Sequence, residues 1–115
     1  MKKTINDNQE QDLILLFLEK IITEKNLTKS SVASYKNDLK GFYDFLKKNQ
    51  FSIVSCTYDN IVLWIEFLRK QSFEQSTLSR KVSTIRQFFN FLFVEKFILE
   101  NPITNIISPK KNKVL

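Results

Sequence analysis

The sequence predicts an all-α protein, a compact bundle of four main helices closed by a short C-terminal turn. Three observations carry that prediction. Gly occurs once and Pro twice in 115 residues, too few breakers for a sandwich, a barrel or any loop-rich fold. Phe, Leu, Ile and Val supply the core, with eleven Phe alone, and the length suits one domain. These apolar residues recur at three- and four-residue steps, the period of an amphipathic helix.

The first helix is expected from about Gln9 to Lys25. Leu13, Phe17 and Ile21 recur at four-residue steps, and Ile14 and Leu18 widen the stripe, so this helix should be well buried. Asn26-Leu27 breaks it. Thr28 is the expected N-cap of the second, with Ser30 and Ser31 behind it. Val32, Tyr35, Leu39, Phe42 and Leu46 mark its inner face until about Asn49. Gly41 falls mid-helix away from that face, at a cost of about 1 kcal/mol relative to Ala. Thr57 is the expected cap of the third helix, with Ile61, Trp64, Ile65 and Leu68 inward. The fourth is the longest: Ser76 is expected to cap it, and Leu78, Val82, Ile85, Phe89 and Leu92 form its core stripe. Phe88, Phe89, Phe91 and Phe93 together exceed what one stripe absorbs, so some are expected against the first helix or a neighbouring protomer. Asn101-Pro102 fits the cap and first position of a short turn reaching about Ile107. The expected organisation is thus a disordered tail over 1–8, a helical domain over 9–107 and a basic linker over 108–115.

Lys and Arg number 18 against 12 Asp and Glu, a formal charge of +6. An excess of this size attracts polyanions without naming one. Cys56 is the single cysteine, which excludes an intrachain disulfide and suits a reducing cytoplasm. The chain contains no His, so neither a Cys–His nucleophile nor a Cys/His zinc site can be built, and the usual near-neutral acid–base residue is missing. One Gly cannot form a phosphate loop. The apolar run from Leu13 to Leu18 is too short for a signal segment or a membrane span. The expectation is a cytoplasmic protein without metal, cofactor, small-molecule ligand or catalytic residues of its own.

Binding features are more informative. Projected at ~100° per residue, the fourth helix turns Arg80, Ser83, Thr84 and Gln87 away from its core stripe, flanked by Ser79, Lys81 and Arg86. No acidic residue lies between Ser76 and Val94. Such a surface suits a major groove: Arg and Gln reach base edges, and short hydroxyls let the backbone approach phosphates. At the start of the second helix, Thr28, Lys29, Ser30 and Ser31 set hydroxyls and a cation beside free N–H groups. That arrangement serves either phosphate binding or ordinary capping. Lys36 and Lys40 extend the positive surface.

"LTKSSVASYKNDLKGFYDFL" (Leu27 to Leu46), followed by "STLSRKVSTIRQFFNFLFVEKFILENP" (Ser76 to Pro102), resembles the core-binding, SAM-like domain of tyrosine recombinases, and most of all the bacterial Xer group. "ENP" and the later "SPKK" resemble that family's passage into its catalytic domain. The resemblance implies a clamp on one face of double-stranded DNA, with helices two and four toward the duplex. It also implies a tetramer of recombinase protomers on DNA, and catalytic residues supplied by a domain absent from this chain. The expected DNA contacts are Lys29, Ser30, Lys36, Thr77, Arg80, Lys81, Thr84, Arg86 and Gln87. Arg86 stays open between a DNA contact and an ion pair with Asp38 across helices two and four. Whether the parent serves chromosome partition or the integration of a mobile element is left open by the sequence. The competing reading is a protein-interaction bundle whose surplus Phe docks a partner.

Overall fold

A computed structural model describes residues 6–106. The expected tail before residue 6, Ile107 and the expected linker over 108–115 lie outside them. Four helices follow in order: α1 (Asp7–Lys25), α2 (Lys29–Lys48), α3 (Tyr58–Arg69) and α4 (Gln75–Val94). Helix α4 packs against each of the other three.

The helix starts are written locally. Asn6 and Gln9 form a reciprocal capping box ahead of α1, two residues before the periodicity places its start. The Thr28 side chain accepts from the Ser31 amide, and Thr57 with Asn60 forms a second box. Helix α4 corrects the expectation of a Ser76 cap. The Leu78 amide already donates to the Glu74 carbonyl at 3.0 Å, so the first helical bond closes on Glu74 and Ser76 lies inside the first turn. Glu74 makes no side-chain capping bond.

The helix ends are less visible in the sequence. Asn26 closes α1 in the left-handed region at φ 49°. Helices α2 and α4 end alike, with Gln50 at φ 61° and Lys96 at φ 66°. In each, the amide beyond the left-handed residue reaches back five residues, Phe51 to the Leu46 carbonyl and Phe97 to the Leu92 carbonyl, both at 2.8 Å. This is the Schellman closure, in which glycine usually takes the left-handed position. Here Phe51 and Phe97 stack against Phe45 and Phe91, and that packing offsets the strain of a non-glycine residue.

The core is an aromatic chain through all four helices. Phe17 of α1 meets Phe88 at 5.4 Å and Phe91 at 5.6 Å between ring centres. Phe88 touches Phe89, Phe89 lies edge-on to Phe42 of α2 at 5.7 Å, and Phe42 meets Trp64 of α3 at 4.9 Å. Each such pair contributes about 0.5–1.5 kcal/mol beyond area burial. The surplus phenylalanines are thereby divided: Phe88 and Phe91 are buried against α1, while Phe93 is exposed. The stripes predicted for α3 and α4 are all buried. Helix α1 is less enclosed than expected, with Leu15 55% and Leu16 46% exposed. The run from Leu13 to Leu18 is wider than the face that α2 and α4 cover.

Asn101 accepts from the Ile103 amide at 3.1 Å and opens the predicted turn, which buries Ile103 and Ile106. No helix among the described residues is long and apolar enough to cross a membrane.

Candidate nucleic-acid interface

The N-terminal half of α2 and the first turns of α4 run side by side. Between them lies an open groove of about 300 Å³, lined by Ser30, Ser31, Ser34, Tyr35, Asp38, Arg80, Ser83, Thr84 and Gln87. Helical period explains its α4 wall. Ser76, Arg80, Ser83 and Asn90 are exposed and Gln87 is half-buried, so a polar, acid-free stripe climbs the helix at alternating four- and three-residue steps. The α2 wall is a row of hydroxyls.

Asp38 lies at the floor of this groove. Its side chain is wholly buried. Arg80 approaches side-on, with Nε donating to Oδ2 at 3.1 Å and Nη2 to Oδ1 at 2.7 Å. Lys81 Nζ donates to Oδ1 at 3.3 Å, and the Thr84 hydroxyl to Oδ2 at 2.8 Å. The bonds from Asp38 hold the Arg80 guanidinium more firmly protonated than usual. Lys81 is only 16% exposed, and its ammonium also lies 5.0 Å from the centre of the Phe73 ring. The cluster holds two cations against one carboxylate, which leaves one positive charge at the groove.

Two sequence expectations need correction here. Thr84 is 3% exposed. The outward projection of α4 considered that helix alone, whereas α2 crosses over Thr84 and turns its hydroxyl onto Asp38. Arg86 does not supply the ion pair to Asp38, a role taken by Arg80 and Lys81. Its guanidinium instead donates to the Ile103 carbonyl at 3.1 Å and the Ile106 carbonyl at 2.6 Å, tying the C-terminal turn to α4.

The remaining candidates fall into two groups. Lys29, Ser30 and Lys36 are exposed on α2, and Thr77 and Gln87 are half-buried on α4. Thr28 and Ser31 are engaged with one another, the threonine hydroxyl donating to Ser31 Oγ at 3.1 Å, so part of the expected phosphate seat is spent on capping. The Gln87 carbonyl oxygen accepts from Lys25 Nζ at 3.0 Å and from the Tyr35 hydroxyl at 3.4 Å. Lys25, at the end of α1, was invisible as a candidate: nothing in its local pattern reveals a partner 62 residues away. Ser34 was missed although its four-residue step from Ser30 sets both on one face of α2.

Two other groups are structural. Glu10 is buried, and its Oε2 accepts from the Ile53 amide at 2.7 Å. Burial raises its pKa, while the Ile53 and Val54 amides pull it down. Cys56 is half-buried, and burial pushes its thiol up to about 12, which makes it inert as a nucleophile. Among the described residues no group of acidic or Cys side chains is arranged to hold a metal.

The family described as the phage integrase N-terminal SAM-like domain matches residues 14–96, which includes both walls of the groove. The chain is 39% identical over 104 residues to tyrosine recombinase XerD of Rickettsia bellii, covering 90% of this chain and 34% of that protein. It is 36% identical over 107 residues to tyrosine recombinase XerC of Oceanobacillus iheyensis, covering 92% and 35%. A XerC of Halalkalibacterium halodurans is 34% identical over 112 residues, covering 96% and 36%. The chain therefore spans about a third of the length of these relatives. With four helices in the expected order and the family match running from α1 past the end of α4, this chain belongs to the phage integrase N-terminal SAM-like domain family.

Proposed function

We propose that this chain is a DNA-gripping domain of a tyrosine site-specific recombinase, holding one face of a duplex during recombination or integration. The observation that carries the reading is the acid-free polar stripe of α4, which runs into a hydroxyl-lined groove bearing one net positive charge. Arg80, Ser83 and Gln87 face the duplex from α4, and Lys29, Ser30 and Lys36 from α2, with Thr77 at the rim. Lys81 contributes charge from below the surface, and Thr84 and Arg86 support the interface without touching DNA. The strand chemistry belongs to residues outside this chain, which grips and orients. In the assembled recombinase, other protomers on the same DNA are its partners, in the cytoplasm.

Titration of the isotope-labelled chain with a short duplex, followed by NMR at two salt concentrations, tests this. Shifts should concentrate in Lys29–Lys36 and Ser76–Gln87 and fade as salt rises. Affinity should fall by about 0.9 log units per tenfold salt for each neutralised phosphate. Absence of shifts at low salt removes the DNA reading. Shifts confined to the exposed Phe93, Phe97 and Leu99 would favour a protein partner instead.

A further inference from the structure

An exposed arginine on a helix samples many rotamers, and fixing one geometry against DNA costs conformational entropy at the moment of binding. Arg80 is already held. Its side chain is 46% exposed, yet two of its five N–H groups are committed to a carboxylate that cannot move. Asp38 is buried at the α2–α4 seam and is itself fixed by Lys81 and Thr84. The side-on fork through Nε and Nη2 leaves both Nη1 hydrogens and one on Nη2 without partners among the described residues. A carboxylate below DNA would ordinarily repel it. Here Lys81 supplies the second cation, so Asp38 can orient Arg80 without cancelling the charge that the duplex meets.

We infer that Asp38 is a positioning residue for DNA binding, a buried carboxylate that pre-orients Arg80 so that its free guanidinium edge meets the duplex. The inference rests on the proposed DNA reading and adds a sign to it. Electrostatics alone says that neutralising a carboxylate near DNA tightens binding. Pre-orientation says that it loosens binding, because Arg80 loses its charge-assisted clamp.

The test measures binding of a fluorescent duplex by the 115-residue chain at low salt, for wild type, Asp38→Asn, Arg80→Ala, Arg80→Lys and Asp38→Asn with Arg80→Ala. Asp38→Asn should weaken binding about fivefold or more, the lower end of what one well-placed arginine contact contributes. The double variant should bind no more weakly than Arg80→Ala alone, since the two residues act as one unit. Arg80→Lys keeps the charge but not the fork, and it should fall close to Arg80→Ala. Equal or tighter binding by Asp38→Asn overturns the inference, as do independent, multiplying effects in the double variant. Circular dichroism checks that Asp38→Asn folds. If it does not, the two Arg80 variants decide: Arg80→Lys binding like wild type overturns the positioning role. Should wild type bind no DNA at all, the DNA reading falls and takes this inference with it.

Discussion

Among the described residues two carboxylates are buried, Asp38 and Glu10, and they are satisfied by opposite means. Asp38 faces side chains: two cations and a hydroxyl from α4, one of them reaching from the solvent-exposed surface. Glu10 faces backbone, accepting from the Ile53 amide in the link between α2 and α3. Arg80 holds Asp38 through Nε and Nη2 and keeps its other N–H groups toward solvent, whereas the Ile53 amide that Glu10 accepts from lies in a buried link. The Asp38 site therefore opens onto the groove between α2 and α4, and the Glu10 site pins a loop to α1.

Stripping each carboxylate of its partners sharpens this contrast. Arg80→Ala combined with Lys81→Ala leaves Asp38 with the Thr84 hydroxyl alone. The cost should be on the order of 3 kcal/mol, the low end for an uncompensated buried charge because truncation of Arg80 admits water. Urea unfolding measures it, and a loss below about 1 kcal/mol would mean that water replaces both cations at Asp38. This variant changes stability and charge together, so it is a poor probe of DNA contact by itself.

Thr84→Val acts on the same site more gently. It preserves shape and removes one hydrogen bond to a charged acceptor, which should lower stability by about 1.5–2 kcal/mol. DNA affinity should change little, since Thr84 is buried. A large affinity loss in a stable variant would return Thr84 to the contact surface.

The smallest effect concerns Glu10 and is a pH dependence. Because burial raises its pKa above the ordinary 4.5, the folded protein holds this proton more tightly than the unfolded chain does. Its contribution to stability is complete below about 4.5 and is lost as pH rises through the folded value. Glu10→Gln removes the titration. The stability difference, wild type minus variant, should therefore fall as pH rises from about 4.5 through the raised folded value and then level. A flat difference would mean that the Ile53 and Val54 amides fully offset burial.

Much of the fold was legible because its determinants are local. A core stripe needs only a 3.6-residue period, and α3 and α4 bury the positions that this period marks. The caps at Thr28 and Thr57 and the turn at Asn101 each depend on a side chain two or three residues from the amide it satisfies. Helix ends were harder. Gln50 and Lys96 take a left-handed conformation that their identities do not advertise, stabilised by aromatic packing that the flanking sequence leaves implicit.

The candidate interface divides along the same line. By itself the sequence determined that α4 carries an acid-free polar face and that α2 begins in hydroxyls, because composition and helical period place both. Only the tertiary structure decided which of those side chains reach outward. Asp38 chooses Arg80 over Arg86, Thr84 turns inward and Gln87 is tied to Lys25 and Tyr35, through bonds spanning 42, 46, 62 and 52 residues. Such pairings depend on the angle and register at which helices cross. Those are set by how the aromatic chain from Phe17 to Trp64 fills the core, and no single helix contains that information.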